Sequence, residues 1–185
     1  EIDCHYIQFT PIVERLGFHQ DGTLLTSPEQ QDANIKLAPF TVNAGKWGDF
    51  LCAVFDEWVT RDVGEVFVQH FDVGLAALFG RYSLCVHAPR CGSALTVEHQ
   101  GDVYSCDHYV EPGYKLGNVL VDSIAAMASS PFQRSFGLAK GNLPRQCVEC
   151  DVRWACHGGC PKDRFAVTAD GEPGLNALCE GYRRF

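Results

Sequence analysis

The chain has 185 residues, 46% hydrophobic and 11% aromatic, enough to bury a core in one medium domain or two small ones, and too apolar for a disordered tail. Its 15 Lys and Arg against 23 Asp and Glu leave a net charge of −8, which argues against a phosphate-tracking surface and so against general nucleic-acid binding. No apolar run approaches the ~20 residues that span a bilayer, so no membrane partner is expected. The first residues, Glu1-Ile2-Asp3-Cys4, carry neither an initiator methionine nor the basic-then-apolar pattern of a signal peptide, and a piece of something larger is expected.

The segment Cys4-His5-Tyr6-Ile7-Gln8-Phe9-Thr10-Pro11 reads as a short buried strand stopped by proline. Residues 17–34, rich in Gly, Asp, Ser, Pro and Gln, read as a loop or excursion. Asp49 is the expected cap of a helix running to about Arg61, with Phe50, Leu51, Val54, Phe55, Trp58 and Val59 at helical spacing. Cys52 lies off that stripe and reads as a packing residue, as does Cys4 in its strand. A strand, an excursion and a helix make one β–α unit, which cannot close a barrel alone and points to truncation on the N-terminal side. Beyond Gly64, Val66 to Phe71 is a second strand candidate, with a short helix around 73–79. Ala94 to Glu98 and Val103 to Cys106, joined at Gln100-Gly101-Asp102, read as a β-hairpin that brings Cys91 and Cys106 together. Residues 121–129 look helical, and 141–163 look loop-like, shaped by metal more than by apolar packing.

Ten cysteines outweigh the rest of the composition. A disulfide framework belongs to oxidising compartments and core-poor domains, and this chain has neither an export signal nor a shortage of core, so a cytoplasmic setting is expected. Besides Cys4 and Cys52, the spacing is Cys85-x5-Cys91-x14-Cys106, then Cys147-x2-Cys150-x5-Cys156-x3-Cys160, then Cys179. A C-x2-C pair on a tight turn aims two sulfurs at one centre, and eight thiols make two complete four-thiolate sites. Spacing leaves both zinc and iron–sulfur open, the uneven gaps leaning toward a cubane, which is wider than a single ion.

Three runs of residues are familiar together. They are Gly101-Asp102-Val103-Tyr104-Ser105-Cys106-Asp107-His108-Tyr109-Val110, Lys115-Leu116-Gly117-Asn118-Val119, and Cys147 through Cys156-His157-Gly158-Gly159-Cys160-Pro161-Lys162. With Tyr6-Ile7-Gln8-Phe9 and Phe55-Asp56-Glu57-Trp58, they resemble the anaerobic sulfatase-maturating enzymes, radical S-adenosylmethionine (SAM) proteins with a C-terminal SPASM domain. One departure is plain: the C-x3-C-x2-C motif that binds the SAM-cleaving cluster in that family is absent from these residues.

The resemblance implies a fold of mixed class, α/β plus α+β. Residues 1–63 would form the last β–α unit of a partial TIM-like barrel, and 64–185 a cysteine-rich SPASM domain with a β-hairpin and short helices. It implies two auxiliary [4Fe–4S] clusters, one on Cys85, Cys91, Cys106 and Cys160, the other on Cys147, Cys150, Cys156 and Cys179, serving electron transfer. The full-length enzyme would add SAM and a third cluster. It would oxidise a cysteine or serine of a sulfatase polypeptide to formylglycine and pass electrons to a flavodoxin or ferredoxin, whereas this chain alone would be inactive. Asp107 matches the residue proposed as the base, and Gln8 is the candidate SAM contact. An oxidised four-thiolate cubane carries a charge of about −2, so like charge is expected to push the Asp107 carboxyl upward. His87, His99, His108 and His157 read as supporting or surface residues, because eight cysteines already satisfy two sites. Gly158 and Gly159 read either as a close backbone approach donating amides to sulfur or as ordinary turn glycines. Lys162 and Arg164 read either as cluster counter-charges or as solvated cations. Two alternatives stand beside this reading: a SPASM enzyme that makes crosslinks or thioethers in another peptide, and a non-enzymatic zinc-binding module.

Overall fold

A computed structural model describes residues 4–16 and 36–185, so the expected excursion at 17–34 lies outside the described residues. The N-terminal part contains β1 (Tyr6–Ile7), β2 (Arg15–Leu16), β3 (Lys36–Leu37), α1 (Ala44–Arg61) and β4 (Phe67–Val68). The β2 and β3 strands pair antiparallel, while β1 and β4 pair parallel, Tyr6 opposite Phe67 and Ile7 opposite Val68. A parallel pair with a helix between its strands is a βαβ unit, so the expected β–α piece is present and is completed by β4. Trp58 Nε1 donates to Val66 O at 2.7 Å and ties the end of α1 to that second strand.

Three expectations in this part need correcting. The first strand is not buried: Tyr6 is 75% exposed, Ile7 lies open beside it, and Cys4 is exposed with its thiol donating to Tyr6 O at 3.2 Å. Val68 of β4 is buried against Trp58 and Phe71, while Tyr6 and Ile7 of β1 stay open, whereas parallel sheets ordinarily bury both faces. Second, α1 is capped by Asn43, whose side chain accepts from Lys46 N at 3.0 Å; Asp49 lies inside the helix and pairs with Arg184. Gly45 and Gly48 hide that start, since each glycine costs about 1 kcal/mol in a helix relative to alanine. They are present because α1 is crossed closely there: a Cβ on Gly48 would stand 2.9 Å from the Gly181 backbone. Third, the strand at Val66 to Phe71 shrinks to β4, and α2 (Gln69–Ala77) begins directly after it, burying His70, Phe71, Val73 and Ala77.

The C-terminal part starts with a 3-10 turn at Cys85–His87, then β5 (Thr96–Val97), β6 (Asp102–Tyr104) and β7 (Lys115–Asn118). The hairpin is present, turning at Gly101 with φ of +86°, and β7 adds a third antiparallel strand. Asn118 locks the turn through Nδ2 to Gln100 O at 3.0 Å and Asp102 Oδ1 at 2.9 Å. Next come α3 (Ile124–Ala128), capped by Ser123, and α4 (Pro131–Ala139), capped by Ser130 with proline at its first position. The stretch expected to be loop holds two single-turn helices, α5 (Arg145–Val148) and α6 (Arg153–Cys156). Residues β8 (Ala166–Val167) and β9 (Pro173–Leu175) form a last hairpin before α7 (Cys179–Arg184).

Two packed clusters join these parts. Val13, Trp47, Leu51 and Leu178 form one, Trp58, Val68 and Phe71 the other, and Phe9 touches both. Leu178 immediately precedes α7, so the chain's last helix is seated on α1. Truncating a fully buried leucine such as Leu51 costs about 2–5 kcal/mol.

Candidate functional site

Electrostatic neighbours link several of the eight cysteines. Cys85 acts on Cys91 and on Cys160, and Cys160 acts on Cys106. Separately, Cys150 acts on Cys147, both act on Cys156, and all three act on Cys179. Cys4 and Cys52 join neither group; the Cys52 thiol contacts Arg184 O at 3.7 Å in the α1–α7 packing.

The first group is assembled by long-range contacts. Gln133 on α4, 2% exposed, donates from Nε2 to Gly92 O at 2.8 Å and to Ser105 O at 3.0 Å. One side chain thereby joins the loop behind Cys91 to the strand end before Cys106. The Cys91 amide donates to Gly137 O at 3.3 Å, and a Cβ at Gly137 would collide with Cys91 O. Beside Cys91 lies a cleft of about 600 Å³, walled by Tyr109, Tyr114, Phe132 and Phe136, with Lys140 and Arg164 at its polar side.

The second group rests on short local turns. Cys147 lies in α5, Cys150 follows it with its amide on Cys147 O at 3.4 Å, and Cys156 ends α6. Cys179 opens α7. Cys147, Cys150 and Cys179 face a cavity of about 300 Å³ with Glu149, Asp151 and Arg183 around it. The run His157-Gly158-Gly159 has φ of 47°, 74° and 62°, three successive left-handed residues. That curl turns the amides of Gly158 and Gly159 onto the Cys156 sulfur, and a Cβ on Gly159 would stand 2.5 Å from Asn176 Nδ2. The Gly159 amide also closes the turn on Cys156 O at 2.9 Å, so the close backbone approach and the turn role coexist here. Asn176, buried, donates to Gly158 O at 3.3 Å and Cys160 O at 3.2 Å and accepts from Leu178 N at 2.9 Å. It links the Cys160 turn of the first group to the residue before Cys179 of the second.

The chemistry of the donors suits an anionic polynuclear centre. Burial pushes the thiols of Cys106 and Cys160 up to about 12 and that of Cys179 up to about 11, so without a cation to deprotonate them they hold their protons. Main-chain N–H groups point at sulfur, from His108 to Cys106 and from Lys162 to Cys160. Such bonds help set cluster potential. Two interior cations, Lys140 and Arg164, accompany them. Arg164 donates from Nε to Gly158 O at 2.9 Å, from Nη1 to Lys140 O at 2.8 Å and from Nη2 to His157 O at 3.0 Å, in the field of Cys147, Cys156 and Cys160. Arg164 is thus no solvated cation, whereas Lys162 pairs with Asp163 at 3.3 Å. Among the described residues no three His, Cys, Asp or Glu converge tightly enough for one metal ion.

The remaining expected residues are dispersed. Asp107 is exposed, and its Oδ1 accepts from the Cys106 thiol at 3.1 Å. That hydrogen bond, the largest influence, holds the carboxyl below its ordinary range, opposite to the expected direction. The upward push presupposes a deprotonated, ligating Cys106, which has no proton to donate. Gln8 is exposed just past the C-terminal end of β1, the end of a parallel strand where α/β folds place ligands. His99 and His108 are exposed. His87 is buried against His70 and Tyr182 at ring distances of 5.9 and 5.2 Å, and burial above all brings it down to about 4, which keeps it neutral. The His157 ring packs edge-on against Tyr82 at 4.9 Å.

Sequence reasoning missed Gln133, Asn176 and Lys140, three polar side chains buried beside the cysteines. Their spacing follows neither a motif nor a helical stripe. Only the Ser130-Pro131 start signal of α4 offered a route to two of them.

The iron-sulfur cluster-binding domain SPASM matches residues 85–151. A serine-type anaerobic sulfatase-maturating enzyme of Bacteroides thetaiotaomicron is 53% identical over 187 residues, covering 100% of this chain and 45% of that protein. The chain is homologous to the anaerobic sulfatase-maturating enzymes. A serine-type enzyme of Klebsiella pneumoniae is 32% identical, and a cysteine-type enzyme of Clostridium perfringens is 29% identical, each aligned over 100% of this chain. The chain spans 41% and 46% of those two proteins, and so under half the length of each of these relatives. The solved structure of native anSMEcpe with bound AdoMet superposes with a TM-score of 0.69 at 25% identity, over 80% of this chain and 41% of that one. The same protein with AdoMet and the Cp18Cys peptide gives the same TM-score of 0.69. Among the described residues no helix is long and apolar enough to cross a membrane.

Proposed function

We propose that this chain is the C-terminal part of a cytoplasmic radical SAM enzyme that oxidises a serine of a sulfatase polypeptide to formylglycine. The greater identity to serine-type than to cysteine-type relatives, 53% against 29%, favours serine as the target. In this reading residues 1–63 end a partial barrel and 64–185 are the auxiliary iron–sulfur domain. Cys85, Cys91, Cys106 and Cys160 hold one [4Fe–4S] cluster, and Cys147, Cys150, Cys156 and Cys179 hold the other. When bound, such clusters supply one-electron acceptors in a site otherwise without redox chemistry.

The chain's own residues do the rest. With all eight positions cysteine, each iron of the two clusters would have a protein ligand, which leaves substrate to be held by protein groups. Asp107, beside the ligand Cys106, receives the proton of the substrate hydroxyl. A carboxylate placed where positive character develops contributes about 10²–10⁴-fold to such a transfer. Arg164 neutralises part of the thiolate charge from within. Gln8, at the ligand-binding end of β1, faces SAM. A flavodoxin or ferredoxin takes the electrons onward. The SAM-cleaving motif is absent from these 185 residues, so the chain by itself cleaves no SAM.

The observation that carries this reading is the 53% identity, along the whole chain, to a serine-type anaerobic sulfatase-maturating enzyme, and the buried Lys140 and Arg164 beside the cysteines support it. The test is to join the chain to an N-terminal half bearing C-x3-C-x2-C and to supply SAM and a sulfatase peptide anaerobically. A serine that loses two hydrogens supports the reading. Vigorous SAM cleavage over unchanged peptide refutes it.

A further inference from the structure

Resting on that two-cluster reading, we infer that the ammonium of Lys140 sets the reduction potential of the cluster on Cys85, Cys91, Cys106 and Cys160, and leaves the other cluster unaffected.

Lys140 caps the C-terminal end of α4 and is 1% exposed. Its Nζ donates to Cys85 O at 2.5 Å, to Val86 O at 2.9 Å and to Ala88 O. All three donors are thus taken by carbonyls of the one turn that presents Cys85. Carbonyl dipoles solvate the charge without cancelling it, and among the described residues no carboxylate lies within ion-pair distance. A lone interior ammonium is strongly unfavourable and ordinarily finds a counter-ion. Burial and then Arg164 disfavour that charge, and the neighbours that act the other way are Cys91, Cys160 and Cys85, three of the four thiols assigned to the first cluster. Arg164 stands between the two groups and is not selective. By the second group the cation is Arg183, 55% exposed and 3.6 Å from Asp151, where solvent and the carboxylate mute it.

The consequence has a definite sign. A four-thiolate cubane goes from about −2 to about −3 on accepting one electron. A fixed positive charge stabilises the more negative form more, so Lys140 makes the first cluster easier to reduce. The three hydrogen bonds also hold the Cys85–Ala88 turn, which makes Lys140 a positioning residue as well as a charge.

The 185-residue chain, reconstituted with iron and sulfide, is titrated with dithionite and followed by electron paramagnetic resonance. Lys140→Met keeps the stem and removes the charge; Lys140→Gln keeps a donor and removes the charge. Both are expected to hold wild-type iron and to lower the reduction equilibrium of one cluster about tenfold, a shift of about 59 mV to the negative for one electron. The second cluster does not move. If either variant sheds half its iron, Lys140→Arg decides: iron retained with the charge restored supports the inference, and iron lost in all three overturns it. Fully loaded Met and Gln variants with unmoved potentials also overturn it. A wild-type chain that takes up no iron refutes the two-cluster reading itself, an outcome distinct from either.

Discussion

The two thiol groups are made by different means. Cys147, Cys150 and Cys156 lie within ten residues on consecutive turns, and only Cys179 arrives from elsewhere. Cys85, Cys91, Cys106 and Cys160 are gathered from a 3-10 turn, a loop, a strand end and a glycine curl, with Gln133 and Lys140 of one helix as the brace. The second group is therefore a local construction that faces its own open cavity. The first is a tertiary construction walled by aromatic rings and backed by an interior cation. Fold energy protects the first, and sequence proximity defines the second.

Each group has an aspartate directly after a cysteine, which gives the sharpest contrast. The Cys106 thiol reaches Asp107 at 3.1 Å, and the Cys150 thiol reaches Asp151 at 3.7 Å. In the full-length enzyme, Asp107→Asn is expected to lose about 10²–10⁴-fold in peptide oxidation with both clusters intact. Asp151→Asn is expected to turn over nearly as wild type. Equal losses would remove the functional distinction between the groups.

Removing single ligands comes next in size. Cys160→Ser and Cys179→Ser should each lose about half of the bound iron, from different clusters, as read by metal analysis and the surviving resonance signal. If one substitution emptied both sites, the partition into two fours would be wrong.

Smaller effects probe the supports. Gln133→Leu strands the Gly92 and Ser105 carbonyls in the interior and should cost about 1–3 kcal/mol in denaturant unfolding. It should loosen the first cluster before the second. Gly181→Ala wedges a methyl between α7 and α1, where the Ala44 carbonyl and the Gly48 amide already touch, at about 1–3 kcal/mol. Its iron loss should fall on the second cluster, through Cys179. A reversal of these two preferences would contradict the assignment of supports.

The same contrast explains what could be read from the sequence. Cysteine spacing marked the run from Cys147 to Cys160, which is set by turns a few residues long, whereas the assignment of Cys160 and Cys179 to different sets came only from the resemblance. The hairpin was legible from alternation around Gln100-Gly101-Asp102, whereas its third strand, Lys115–Asn118, carries a glycine and little β-branching. The start of α1 was hidden by two glycines whose reason, the approach of Gly181, lies at the far end of the chain. Burial of β1 was expected from its apolar residues, yet its exposure depends on what covers the sheet. Lys140 and Gln133 were invisible for a plainer reason: polar residues on helices read as surface until a fold encloses them.

The most direct measurement is the iron and acid-labile sulfide content of the chain after anaerobic reconstitution. About eight of each per chain, with two distinguishable cluster signals on reduction, is the expected result. A colourless protein that binds zinc stoichiometrically, or one that folds with its thiols free and iron absent, would contradict the account.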